Sequence, residues 1–199
     1  MNPRALIALF LVAGTAFVAV VVAAAGRDDA PVAGERRFEG AILPPGLHAP
    51  RFVLRDQDGR PVAMEDLRGR PVIVTFLYTR CEDTCPTQAQ QVRSALDELG
   101  EDVPALAISV DPERDTEASA RAFLSEQRVI GRMRFVLGSR KALEKVWRAF
   151  AVEPQREDLE HRARFVLVDP EGVQRVSFPI DQATPERLAH DLRLLAGGA

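Results

Sequence analysis

The sequence predicts an α/β fold: a central mixed β-sheet flanked by helices on both faces, with an N-terminal hairpin and, upstream of it, an N-terminal transmembrane helix. Three observations carry this reading. Apolar, β-branched runs of strand length alternate with segments of helical period. Polar caps or glycines punctuate the helical segments. A run of 21 uncharged residues, Ala5–Ala25, lies near the start of the chain.

At about 1.5 Å per residue, that run spans roughly the 30 Å hydrocarbon core of a bilayer. Arg4 precedes it, while Arg27, Asp28 and Asp29 follow, which puts the N-terminus inside and the rest of the chain outside. Residues 1–25 are therefore expected to be a membrane anchor. A cleaved signal peptide ending at Ala23-Ala24-Ala25 is the competing reading, although its apolar region would be unusually long. Residues 26–49, rich in Ala, Gly, Pro and charge, read as a linker, and the folded domain is expected over residues 50–199.

Within the domain, Arg51–Leu54 and Pro61–Ala63 flank the turn cluster Asp56-Gln57-Asp58-Gly59 and form a hairpin. Met64–Arg68 makes one helical turn stopped at Gly69. Pro71–Tyr78 is a buried strand, followed by a helix to Gly100 with the stripe Cys85, Ala89, Val92, Leu96, Leu99. Ala105–Val110 is a second all-apolar strand, Thr116–Gln127 a helix, and Arg134–Leu137 a short strand. Ser139–Phe150 is a helix burying Leu143, Val146, Trp147 and Phe150. Phe165–Val168 and Val173–Phe178 flank Asp169-Pro170-Glu171-Gly172, a second hairpin that closes the sheet. Thr184 caps the last helix, with Pro185 at its first position and Leu188, Leu192 and Leu195 inward.

Composition excludes some functions. The 199 residues carry a formal net charge of −3 with no basic cluster, so nothing points to nucleic acid. The 24 arginines against 2 lysines reflect a GC-rich genome. Two cysteines cannot build the disulfide framework of a small secreted scaffold.

Those two cysteines, Cys81 and Cys85, stand where the Pro71–Tyr78 strand hands over to a helix N-terminus. Four-residue spacing on a helix sets two side chains on one face, with Cβ atoms about 5–6 Å apart. The sulfurs can close on one soft metal ion or, with local unwinding, on each other. A helix N-terminus also stabilises thiolate, the form that ligates metals and attacks disulfides. A structural zinc site lacks support, because such sites want four ligands and no other cysteine exists. Of the three histidines, His190 falls among polar positions of the last helix and reads as solvated, and His48, in the Pro-rich linker beside the domain edge, reads as a loop residue. His161 precedes the strand Phe165–Val168, and strand-end loops of an α/β sheet gather at one edge, so a Cys-Cys-His cluster is geometrically open to this chain.

Three motifs in order, FLYTRCEDTCPT, SVDPERDT (Ser109–Thr116) and a histidine shortly before VDPEG (Val168–Gly172), resemble the Sco/SenC copper chaperones over about Pro50 to Leu195. The resemblance implies a thioredoxin-like fold and one copper ion, Cu(I) or Cu(II), bound by Cys81, Cys85 and His161. It also implies a role in assembling the dinuclear copper centre of cytochrome c oxidase. The partners expected are the copper-accepting oxidase subunit and another copper chaperone or a thiol reductant. The location expected is the outer face of the bacterial cytoplasmic membrane. Glu82 stands where that family commonly has proline, and Glu160-His161-Arg162 replaces its usual Asp-His-Ser.

The ligand set is chemically sound. Thiolates suit Cu(I), and imidazole suits either oxidation state. Two thiolates and a neutral imidazole sum to −1 with Cu(I) and to zero with Cu(II), and three ligands leave room for a partner's ligand to enter. Asp111, Glu113 and Asp115 read either as turn caps or as a docking surface. A thiol–disulfide oxidoreductase, with Cys81 attacking and Cys85 resolving, is the alternative function. A peroxidase of peroxiredoxin type ranks last, since no activating arginine accompanies either cysteine in sequence.

Overall fold

The computed structural model describes residues 37–155 and 164–197. The segment Ala5–Ala25 and His161 lie outside them. Among the described residues no helix is long and apolar enough to cross a membrane.

The strands are β1 (Ala41–Ile42), β2 (Val53–Arg55), β3 (Pro61–Ala63), β4 (Val72–Leu77), β5 (Ala105–Ser109), β6 (Arg134–Val136), β7 (Arg164–Val168) and β8 (Gln174–Pro179). The helices are α1 (Thr84–Leu99), α2 (Glu117–Glu126), α3 (Arg140–Ala149) and α4 (Pro185–Ala196), with a 3-10 turn at Met64–Leu67. Six strands form one mixed sheet in the order β1-β8-β7-β4-β5-β6, and β2-β3 is a separate hairpin. β4, β5 and β6 run parallel, whereas β7 lies antiparallel to β4 and β8 antiparallel to β7.

β4 is apolar throughout except for Thr75 because both its faces are covered. Alternate residues divide between two cores, as the period of a strand requires. Ile73 and Leu77 face one core with Ala89, Val92 and Leu96 of α1, Phe123 and Leu124 of α2, and Leu188 and Leu192 of α4. Val72, Val74 and Phe76 face the other, with Leu143, Val146 and Trp147 of α3. Thus α1, α2 and α4 cover one face and α3 the other.

The expected ends hold closely. Gly100 closes α1 at φ 70°, a left-handed position where a side chain is disfavoured. Thr116 and Ser119 form a reciprocal capping box at α2. The Ser139 and Thr184 side chains accept the Ala142 and Arg187 N–H groups at the starts of α3 and α4.

The expected start near Pro50 is too late for the ordered packing, which reaches back to Phe38. β1 adds to the edge of β8, pairing Ala41 with Ser177. The fully buried Asp191 of α4 accepts the Glu39 and Gly40 N–H groups at 2.8 and 3.0 Å. Gly40 is glycine because a Cβ there would collide with Val176 and Phe178. Pairing with a strand more than 130 residues away leaves no local pattern in this Pro- and Gly-rich stretch, so it reads as linker in sequence.

The hairpin turn covers the far edge of the sheet. Gln57 Oε1 accepts the Phe135 N–H of β6, and Asp56 accepts from Asp58 N, Arg60 N and Arg134 Nε. Burial pushes the Asp56 pKa up, but the Arg134 and backbone bonds outweigh it, and the net shift is downward. A carboxylate with a lowered folded pKa adds stability that is present above its unfolded value and lost as pH falls through the folded one. Asp56→Ala should therefore cost about 2–3 kcal/mol at pH 7, from a charged pair and orphaned donors. The gap to the parent should close as urea melts are repeated from pH 5 downward; a gap independent of pH would contradict this.

Candidate functional site

Leu77 ends β4 deep in the sheet, and six residues, Tyr78–Asp83, lead to α1. Cys81 sits in this connection rather than on the helix; Cys85 lies in the first turn of α1. Asp83 holds the N-cap position, yet its side chain makes no cap bond. The sulfur of Cys81 takes that part: Cys85 N–H donates to Cys81 Sγ at 3.2 Å. Thr84 Oγ1 lies 3.8 Å from the same sulfur. The helix start thus has an orphan donor that only an anion or an acceptor satisfies, and the chain supplies a thiolate.

Both cysteines are free thiols, but their surroundings differ. Cys85 is wholly buried, whereas Cys81 is 7% exposed. The Cys85 thiol donates to Cys81, which, with the Cys85 and Asp83 backbone N–H groups, holds the Cys81 pKa well below the usual thiol value against the opposing effect of burial. That bond to Cys81, with burial second, drives the Cys85 pKa upward. The two shifts run in opposite directions, favouring thiolate at Cys81 and thiol at Cys85. Tyr78, which sequence reasoning passed over as the end of a strand, bonds to Cys81; burial first and then that bond push its pKa up to about 12. Among the residues lining the adjoining cavity of about 530 Å³ are Thr79, Cys81, Glu82, Phe123 and Glu126, so only the activated sulfur faces it.

The three acidic residues of SVDPERDT part company. Glu113 is exposed and forms a two-pronged pair with Arg140 at 2.7 and 2.8 Å. Asp111 is 6% exposed, with Arg114 3.6 Å away. Asp115 accepts Thr79 N–H and Thr79 Oγ1–H at 2.8 Å and Ser109 Oγ–H at 2.6 Å. With both oxygens engaged inside the fold, Asp115 is not a docking group. Its location could be sensed from the strand-end position of its motif, but not its burial.

His48 bridges to Val173 beside the β7–β8 turn. Val72 pairs with Val168, so that turn lies at the opposite sheet edge from Cys81. His190 Nδ1 lies 3.0 Å from Asp191 on α4. Neither histidine lines the cavity beside Cys81. Among the described residues no cluster of three His, Cys, Asp or Glu side chains is placed to hold a metal ion. The chain leaves the described structure after Gln155, whose N–H donates to Val110 O just beyond β5. It returns at Arg164, whose carbonyl accepts Thr75 Oγ1–H at 3.1 Å and Gln88 Nε2–H at 3.4 Å. Both flanks of the segment carrying His161 therefore stand at the cysteine edge.

A SCO1/SenC family model matches residues 42–197. A putative copper-binding protein from Stutzerimonas stutzeri is 30% identical over 147 residues, covering 67% of this chain and 70% of that protein. The copper-bound structure of ScoI from Bradyrhizobium japonicum is 31% identical, with a TM-score of 0.63 over 74% of this chain and 99% of that one. The fold also matches BsSco, described as a member of the Sco family of cytochrome c oxidase assembly proteins with a disulfide switch. That match has 24% identity and a TM-score of 0.67, over 76% of this chain and 95% of that one. The chain spans between 40% and 70% of the length of the curated relatives it matches.

Proposed function

The chain belongs to the SCO1/SenC family, and from that membership and the asymmetric sulfur pair we propose that it is a copper carrier anchored at the outer face of a membrane. Its cargo is one copper ion held by Cys81, Cys85 and His161, delivered to the copper-accepting subunit of cytochrome c oxidase. The observation that carries the reading is Cys81 Sγ accepting the Cys85 N–H at the start of α1, a position that lowers the Cys81 pKa, with the Cys85 thiol beside it. Two soft sulfurs four residues apart fit Cu(I), and an imidazole beside them extends the set to Cu(II). Cys85 would give up its proton on binding, so uptake should release protons. His161 completes the set; it stands three positions before Arg164, within reach of the cysteine edge at about 3.3–3.6 Å per extended residue. The anchor rests on Ala5–Ala25.

The same sulfur asymmetry favours one further reading. A low-pKa, partly accessible Cys81 attacks a partner's disulfide, and the mixed disulfide is resolved when Cys85 loses its proton and displaces the partner's thiolate. The partner gains two electrons, and this chain ends with a Cys81–Cys85 bond. Preparing a partner's cysteines and loading them with copper are compatible roles.

Reduced protein should bind one equivalent of copper and the disulfide form none; a full equivalent on the disulfide form would refute the site. His161→Ala should weaken Cu(II) binding more than Cu(I) binding. Cu(I) accepts two thiolates as a linear pair, whereas Cu(II) prefers more ligands including nitrogen. His48→Ala and His190→Ala should leave both unchanged. Titration of all three variants in both oxidation states decides it, and loss of Cu(II) in a control instead of in His161→Ala would mean the wrong histidine.

A further inference from the structure

The connection from β4 to α1 carries the reactive sulfur, yet little in its own sequence holds it. Within it, Cys81 N–H makes a long 3.3 Å bond to Tyr78 O and the Tyr78 side chain bonds to Cys81, while Cys81 Sγ accepts the Cys85 N–H at the start of α1. Beyond its contacts with the start of α1, the connection is tied to the rest of the described fold by hydrogen bonds from Thr79 to Asp115 and, at 3.2 Å, to Ser119. Asp115 is 9% exposed and takes three donors on its two oxygens. Its own N–H is bound to Asp111 O at 2.9 Å, and Thr116 beside it caps α2. Ser109, the third donor, ends β5, and its carbonyl accepts the buried Trp147 indole N–H at 2.9 Å. The carboxylate is therefore fixed from β5, α2 and α3 before it grips Thr79.

We propose that Asp115 is the positioning residue of the reactive turn: by holding the Thr79 N–H and hydroxyl it sets where Cys81 Sγ meets the start of α1. A carboxylate suits this work because it accepts several donors at once, and bonds to a charged acceptor are about twice as strong as neutral ones. Hydrogen bonds to a thiolate fall off steeply with misalignment, so a turn free to drift loses the contact that stabilises the anion. Asp115 hydrogen-bonds Thr79 and not the sulfurs; behind the Cys81 bond and burial, its charge adds a small upward push on the Cys85 pKa. The proposal rests on Cys81 being the reactive group of the proposed function.

The test uses the reduced full chain in detergent with Asp115→Ala, Asp115→Asn and Thr79→Val. Alkylation of Cys81 by iodoacetamide is followed by mass spectrometry across pH, alongside copper titration and thermal melting. In Asp115→Ala the alkylation midpoint should move upward toward an ordinary thiol, and copper affinity should fall at least about tenfold, as expected from losing bonds to a charged acceptor. Asp115→Asn keeps an oxygen for Thr79 and an amide that Ser109 can accept, so it should restore both readouts to within about threefold. Thr79→Val, which keeps the N–H and loses the hydroxyl, should lie between. A parent-like alkylation profile in Asp115→Ala overturns the proposal. So does an Asn variant that fails equally with a matching loss of melting temperature, since Asp115 would then be structural only. If the Ala variant does not fold, an unshifted profile in Thr79→Val overturns it. Should the parent take no copper, the carrier reading fails, and the alkylation profile still decides the role of Asp115.

Discussion

Cys81→Ser should abolish alkylation at mildly acidic pH and cut copper affinity by at least about two orders of magnitude, given that complete structural zinc sites of thiolate and imidazole are worth roughly 10–16 kcal/mol. The parent should behave oppositely to an ordinary thiol. At pH 6, where a free cysteine is almost entirely protonated, Cys81 should react, because the Cys85 thiol and the helix-start N–H groups hold it as thiolate. Cys85, wholly buried and with its pKa raised, should stay unmodified. Cys85→Ser should lose copper as severely, since a hydroxyl is no soft ligand, but should leave Cys81 reactive: the serine O–H can still donate to the thiolate and its backbone N–H is retained. Peptide mapping after pulse alkylation at pH 6 separates the two sulfurs. Equal labelling, or labelling of Cys85 first, would reverse the assigned roles of nucleophile and resolving thiol.

The largest effect on stability is expected from Trp147→Ala. Trp147 is 2% exposed in the core between α3 and the sheet, and its indole N–H donates to Ser109 O at 2.9 Å. Truncating a buried tryptophan typically costs about 3–5 kcal/mol, and the orphaned Ser109 carbonyl adds to that. For a domain of this size the unfolding midpoint should drop by on the order of 10 °C. Because Ser109 also donates to Asp115, copper affinity should fall in the folded variant as well, by less than in Asp115→Ala. A melting point within two or three degrees of the parent would show that α3 is not a cooperative part of the domain. Trp147→Phe keeps most of the volume and loses the N–H, so it should recover most of the stability and little of the Ser109 anchoring.

The sequence by itself determined most of the element order. Strands buried on both faces must be apolar along their length, which makes β4, β5 and β7 visible as runs, and helices need caps, which makes Thr116, Ser139, Thr184 and Gly100 visible as punctuation. It also singled out Cys81 and Cys85 as the candidate pair, since the sequence holds no other cysteine. What only the tertiary structure decided is set by partners far apart in the chain. β1 exists because β8 offers an open edge, and Asp191 binds backbone about 150 positions away. Asp115 is a positioning group rather than a surface acid because β5 and α2 carry it under the cysteine turn, where Thr79 supplies the donors. The inequality of two identical thiols arises in the same way. Cys85 is drawn into the core with the apolar stripe of α1, while Cys81, left in the connection, becomes the acceptor that the helix start lacks. Periodicity reports which face a residue shares; depth and hydrogen-bond partners depend on which elements close over it.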